Sequence, residues 1–310
     1  MLKRNKIAGI SLAAALCLSC SVSSVFAIDT SVIDEKWGKP TVVYGGGLSN
    51  SQIEETQELF DIENTDNVYE TSVDANDLYN YLGIAGGDTS SLISSVMVQK
   101  QDEGTGVKVK IITQSNITKI TSNQYANAAI TAGVSDVEID VASVSKVTGE
   151  SALTGVYKAL EANGETLDTQ RTQVAQDELE TTNEIAQDNA DNSDFNSSNL
   201  DQAMVEIKQE LAEIKQNQGS AATEEQVEQV VQDALKKFNL SDIISQDDID
   251  KLIAFAKKYQ NTSAIDSQEV LDQLNKLSGN LKNQLSGLIN KAQSEGWWDK
   301  IINFFKSLFN

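Results

Sequence analysis

Val137-Glu138-Ile139-Asp140-Val141, followed by Ser151-Ala152-Leu153-Thr154-Gly155-Val156-Tyr157-Lys158-Ala159-Leu160, is the stretch that decides the fold. The first run alternates apolar and acidic residues, the period of a half-buried strand. The second is helical in pattern and is stopped by Asn163-Gly164. Strand then helix is an α/β signal, and the chain upstream repeats it. Thr41–Tyr44 predicts a strand, and Gly45-Gly46-Gly47 a turn. Ser51-Gln52-Ile53-Glu54 has a capping-box pattern opening a helix that carries Ile53, Leu59 and Phe60. Val68–Val73 predicts a second strand, and Asp74 opens a short helix through Leu78, Tyr79 and Leu82 to Gly83. Ser91–Lys100 and Val107–Thr113 flank Asp102-Glu103-Gly104-Thr105-Gly106, a hairpin signal. Asn123–Ala132 is Ala-rich and helical, stopped by Gly133. These elements predict an α/β domain over residues 28–165, a mixed sheet with covering helices.

After Gly164 the strand patterns stop. Thr166–Gln187 is polar and helix-prone, and Asp188–Asn199 is rich in Asp and Asn, so residues 166–199 are read as a polar helix and a low-complexity linker. The linker is not a calcium loop. With Asp188 leading, Ala190 falls on a ligand position and no Gly stands at the sixth place. Residues 200–295 carry apolar stripes at spacings of three and four. Leu200, Met204, Ile207, Leu211 and Ile214 form one, and Val227, Val230, Val231, Ala234, Leu235 and Phe238 another. Ile249, Leu252, Ile253, Ala256 and Tyr259 form a third, and Val270, Leu274, Leu277, Leu281, Leu285, Leu288 and Ala292 a longer, coiled-coil-like one. An all-α bundle is the plain reading, and self-association through one stripe the alternative.

Residues 296–310 predict a C-terminal amphipathic helix. Wound at about 100° per residue, Trp297, Trp298, Ile301, Ile302, Phe304, Phe305, Leu308 and Phe309 share one arc of roughly 160°. Asp299, Lys300, Asn303, Lys306, Ser307 and Asn310 share the other. Half burial of the apolar set represents about 10 kcal/mol of gross transfer free energy, and so short a helix is marginal alone. Its cover is the chain's own bundle, a second copy, a membrane surface or another protein. From Glu295 to Asn310, Glu295, Asp299 and the terminal carboxylate outnumber Lys300 and Lys306, so this is not a cationic lytic helix.

The N-terminus predicts export. Lys3, Arg4 and Lys6 precede an apolar run from Ile7 to Leu18, with Ala27 at the expected cut, so residues 1–27 are read as a signal peptide. That run is too short to span a bilayer. A lipoprotein cut at Cys20 is the rival, disfavoured because Cys17 stands where such signals want Leu. Cleavage after Ala27 removes Cys17 and Cys20, the only cysteines, and the chain has no histidine. Imidazole-based triads, thiol chemistry and His or Cys metal sites are excluded from the exported chain. Losing three basic residues leaves 21 against 46 acids, a formal charge of −25 compared with −22 for the full sequence. Phosphate binding needs clustered Lys and Arg, so nucleic acid is not an expected partner.

Val147-Thr148-Gly149-Glu150-Ser151-Ala152-Leu153-Thr154-Gly155-Val156-Tyr157-Lys158-Ala159 resembles the V-T-G-x-S-A-L-T-G-I-Y-K-A signature of the YpuA-like secreted proteins of Gram-positive bacteria, a domain-of-unknown-function family. Gln52 and Leu59-Phe60 also match that family. Gly45-Gly46-Gly47 departs from its usual turn, and Lys146 stands in place of Pro. The resemblance covers about 41–160, or further into the polar helix. It implies a secreted α/β domain followed by variable helices, and supplies no catalytic residues.

Two loops are candidate ligand sites: Gly45, Gly46 and Gly47 with Ser49, and Thr148, Gly149 and Ser151. Each joins a strand to a helix N-terminus, where bare N–H groups can hold a phosphate or carboxylate. The plain alternative is a tight turn that needs Gly and a cap. No metal site, cofactor or catalytic group is expected. Ser151 and Lys158 lie about 10 Å apart in rise, too far for a dyad. The expectation is therefore a non-enzymatic exported protein that associates with the envelope, or with itself, through its C-terminal helix. The alternative is a soluble binder of a small anion or divalent cation, its tail packed on its own helices.

Overall fold

Four short runs rich in Val and Ile, and one weaker run, form a single five-stranded sheet. They are β1 (Thr41–Gly45), β2 (Tyr69–Val73), β3 (Ser95–Lys100), β4 (Val107–Ile111) and β5 (Val137–Ala142). The computed structural model describes the backbone of residues 37–294 and the side chains to residue 283. The predicted signal peptide and the aromatic tail from Trp297 to Phe309 lie outside the described residues. Nine α-helices are present among those described: α1 (Asn50–Leu59), α2 (Ala75–Leu82), α3 (Ser122–Ala132), α4 (Ala152–Ala162), α5 (Thr169–Asp188), α6 (Ser197–Gln218), α7 (Glu224–Lys237), α8 (Gln246–Tyr259) and α9 (Gln268–Ser294). The mixed sheet with helices, then a helical region, is the architecture the patterns predict.

The strand order is β2-β1-β3-β5-β4. β1 runs parallel to β2, and β4 parallel to β5, whereas β3 is antiparallel to both its neighbours. This corrects the predicted hairpin. β3 and β4 do run in opposite senses, but β5 lies between them and pairs with both. β5 wins the inner slot because nearly every position of it is buried, whereas β4 exposes Lys108 and suits an edge. The prediction of a half-buried β5 is corrected for the same reason: Asp140 is fully buried, because both faces of the sheet are covered.

Those faces carry separate cores. Val42, Tyr44, Met97 and Ala142 pack with Phe60 and Val68, joined by Ile53 and Leu59 of α1. The other face presents Val43, Val96, Val98, Ile139 and Val141 to a core that continues without a break through the helices to Leu281 of α9. The cap of α1 is Ser49, whose N–H donates to Gln52 Oε1 at 2.9 Å, rather than the predicted Ser51. Asn189 and Phe195 sit in the loop between α5 and α6. Asn189 donates to Ile185 O at 2.8 Å, and Phe195 packs against the main core.

The segment that carries the family resemblance lies at the middle of this packing. α4 crosses β1 and β3 with Gly155 facing the sheet, where an added Cβ would lie 2.9 Å from Val96 Cγ2. Leu153, Thr154, Val156 and Tyr157 are all buried, and the Tyr157 ring meets Tyr81 edge-on at 5.9 Å. Widening position 155 must therefore push α4 off the sheet. Gly155→Val is expected to cost about 1–3 kcal/mol, seen as a lower midpoint in urea denaturation with an unchanged slope.

Candidate functional site

Four parallel strands put their carboxyl ends at one edge of the sheet, and the two candidate loops share that edge. The Gly45–Ser49 turn follows β1 and the Thr148–Ser151 loop follows β5, two strand spacings away, about 10 Å. The turn, however, is filled by its own chain. A Cβ at Gly45, Gly46 or Gly47 would lie 2.3 Å from Leu92 O, 2.2 Å from Val73 O and 2.3 Å from Ser90 O. Gly45 N–H donates to Ser95 Oγ at 3.2 Å and Gly47 N–H to Leu92 O at 2.9 Å. These glycines let three backbone segments meet, and two of their donors are already used.

The second loop is tied down in the same way. Val147 bridges Ile117, and Gly149 adopts φ 104°, a conformation Gly reaches at no steric cost. The Tyr125 hydroxyl donates to Gly149 O, and a Cβ at 149 would meet that hydroxyl at 2.5 Å. Glu150 accepts from Asn183 of α5 at 3.3 Å, while Ser151 begins α4 without a side-chain cap bond. Lys158, one turn from the end of α4, pairs with Asp77 of α2 at 2.8 Å. Burial alone would lower its pKa, but the Asp77 carboxylate outweighs that and holds it raised. Among the described residues no group of three or more His, Cys, Asp or Glu could hold a metal. No helix there is long and apolar enough to cross a membrane.

The unusual chemistry lies inside the helices. Lys208 of α6 is wholly buried, and its Nζ donates to Glu178 Oε1 at 2.7 Å, Asn127 Oδ1 at 2.9 Å, and Asn127 O and Thr131 Oγ1 at 3.2 Å. The Thr131 hydroxyl donates in turn to Glu178 Oε2. Three helices, α3, α5 and α6, are thus joined around one ion pair. Desolvation lowers the Lys208 pKa, and Glu178 opposes that shift. A third charged residue, Asp201, stands two turns earlier on the same stripe of α6. Burial pushes its pKa up to about 7, with Glu178 adding to the rise and the Asn123 side chain and Lys208 opposing it. Arg171 Nε donates to Thr131 O at 3.0 Å at the end of α3, its guanidinium lying over Gly133, where a Cβ would come within 2.7 Å of Nη2. A cation there suits the helix C-terminus. The Tyr157 and Tyr259 hydroxyls are buried nearby, and desolvation with the Glu178 charge raises both pKa values.

Residues 44–277 match the family described as "Protein of unknown function (DUF1002)". The chain belongs to the DUF1002 family. It is 30% identical over 221 residues to "Uncharacterized protein YpuA" of Bacillus subtilis (strain 168), covering 70% of this chain and 72% of that protein. No solved structure matches it. The family match extends well past the α/β part, to the first turns of α9, and so takes in the buried Lys208–Glu178 pair as well as the signature on α4.

Spacing alone hid that pair. Asp201, Val205, Lys208 and Ala212 repeat the four-three-four rhythm of the apolar stripe beside them, and all four are buried. On α5, Ala175, Glu178, Thr182 and Ile185, all buried, follow a three-four-three rhythm. A polar stripe in register with an apolar one is the available signal that a helix is buried over a wide arc.

Removing one partner strands a buried charge, so Lys208→Met should cost about 3–5 kcal/mol, whereas Lys208→Met with Glu178→Leu should recover most of that loss. A double-mutant cycle in guanidinium denaturation measures the difference. Asp201 gives a pH signature of defined sign. Its folded pKa, about 7, lies above the ordinary carboxylate value, so its stabilising contribution is complete below about pH 4 and is lost as pH rises through 7. Asp201→Asn should flatten that part of the stability–pH profile, followed by thermal melts between pH 4 and 8.

Proposed function

We propose that this DUF1002 protein is an exported, non-enzymatic module that works at the cell envelope. Its folded body holds α9 in place, so that the segment beyond α9 can associate with a membrane surface or with a second copy. The observation that carries this reading is the way α9 is fixed. Asp136, held at φ 49°, accepts from Gly106 N–H at 2.8 Å and Gln273 Nε2 at 3.0 Å, with Lys276 at 3.6 Å. Burial would raise the Asp136 pKa, but these donors outweigh it and hold it low. Ser135 donates to Glu269, and Val270, Leu274, Leu277 and Leu281 are buried. One end of the helix is thereby clamped to the sheet, while its apolar rhythm runs on in the sequence through Leu285, Leu288 and Ala292 to Trp297.

The acidic charge fits a role outside the cell and sets the type of membrane binding: apolar burial against electrostatic repulsion, strengthened rather than weakened by salt. The alternative, binding of a small anion or divalent cation at the carboxyl edge of the sheet, is supported by the two loops sharing that edge. Their glycines, taken up by neighbouring backbone, make it the weaker reading. Neither nucleic acid nor a cofactor enters either one.

Vesicle flotation of residues 28–310 beside a chain ending at Glu295 tests the proposal. Only the longer chain should float, and more of it on anionic vesicles at high salt than at low. Equal behaviour of the two chains, together with a thermal shift on adding phosphate or calcium, would favour the alternative.

A further inference from the structure

β4 has one finished side and one open side. On the inner side it pairs in parallel with β5, setting Val107 beside Val137, Lys108 beside Glu138, Val109 beside Ile139 and Lys110 beside Asp140. Ile112 N–H donates to Val141 O at 2.8 Å, and bonding residues alternate along a parallel ladder. The backbone of Lys108 and Lys110 therefore faces β5, and that of Val109 faces away. β4 ends the strand order, and among the described residues the N–H and C=O of Val109 have no partner. The open side looks into a groove of about 640 Å³. Val107, Val109 and Leu277 give the groove its apolar lining, while Asn123 of α3 and Asn280 and Asn283 of α9 bring amides to it. An amide both donates and accepts, as the backbone of a bound peptide requires.

We propose that this groove takes an extended peptide from another protein, which adds to β4 as a further strand and alternates apolar with acidic residues. The pattern follows from β4 itself. Side chains alternate between the two faces of a strand, so a neighbour on either side of β4 meets Val107 and Val109 on one face and Lys108 and Lys110 on the other. The inner neighbour answers with Val137-Glu138-Ile139-Asp140-Val141. Lys108 is exposed and Lys110 half-buried, and among the described residues neither ammonium forms an ion pair, so both can meet a second acidic strand. A lysine on an edge turns away strands at large and admits one of opposite charge. It also turns away a second copy. Two β4 edges would set lysine against lysine, and the other edge strand, β2, brings only Glu70, whose carboxylate already accepts from Tyr44 and Gln57. The formal −22 of the chain opposes an acidic partner at a distance. That field is screened within about 8 Å at physiological salt, whereas neighbouring strands lie about 4.8 Å apart. Backbone bonds to the open edge supply affinity, and the alternate side chains supply specificity. The inference concerns the sheet edge and stands apart from the membrane reading.

The probe is a labelled peptide with the sequence of Val137–Ala142, added to residues 28–310 and followed by fluorescence anisotropy and hydrogen exchange. It should bind and slow exchange of the Val109 N–H. A peptide carrying Glu138→Lys and Asp140→Lys should bind about tenfold more weakly. Lys108→Glu in the protein, at an exposed position, should remove that preference. Val109→Pro deletes the outward N–H while leaving the pairs with β5 in place, a position at which an edge strand accepts proline, and it should abolish binding. Equal binding of the two peptides, a preference that survives Lys108→Glu, undiminished binding to Val109→Pro, or no binding of either peptide at millimolar concentration would overturn the proposal. A dimer of the unaltered chain that Val109→Pro converts to a monomer in sedimentation would also overturn it, and would give the edge to a second copy.

Discussion

The helical half of this protein is organised around one buried ammonium. Lys208 reaches from α6 to a carboxylate on α5 and to two residues of α3, and its bonds to Glu178 Oε1 and Asn127 Oδ1 have the length of charge-assisted hydrogen bonds. An ion pair in such a place adds little net stability, because desolvating both charges offsets their attraction. What it supplies is register. Asn127 and Thr131 are one turn apart on α3, and Lys208 meets both only if α6 crosses α3 at a single height and rotation. Any sliding of α5 or α6 leaves a charge without its partners inside a dry core, which is costly. α3 also covers the sheet, so the same set of bonds fixes the helices relative to the strands.

This explains why the two halves read as separate in the sequence and yet share one core. The change at Gly164 from strand patterns to helix patterns is real, and the sheet, its covering helices and the later stripes were all legible. What spacing could not show was that α5, polar along much of its length, lies against α3. Its buried positions include Thr172, Gln176, Glu178, Thr182 and Asn183, polar groups that look like a solvated face until their partners are in view. The predicted hairpin failed for a related reason. Five turn-forming residues between two β-rich runs state that the chain reverses, but not which strand will take the place between them. Burial on both faces decided that, and β5 is the more apolar candidate. The two glycine loops share one edge of the sheet, but a run of glycines does not reveal whether the space beside it is solvent or backbone.

The family signature on α4 belongs to the same logic. Its small and apolar residues lie against β1 and β3, and its tyrosine is buried beside the charged network, where desolvation, with the Glu178 carboxylate adding to it, raises its pKa. Residues of this kind identify a fold through packing. They carry no reacting group to the surface, so the resemblance they support extends to architecture and stops short of chemistry.

The opposite end of the molecule is built differently. α9 is held by an aspartate in a left-handed conformation that gathers a loop N–H, a glutamine and a lysine, all near the first half of the helix. Beyond Leu281 the apolar rhythm continues in the sequence through Leu285, Leu288 and Ala292. In a chain so acidic, repulsion opposes both anionic surfaces and copies of itself. The apolar term is large and insensitive to sign, whereas the electrostatic term is small and screened within about 8 Å at physiological salt. Added salt therefore weakens the repulsion and leaves the apolar term in place.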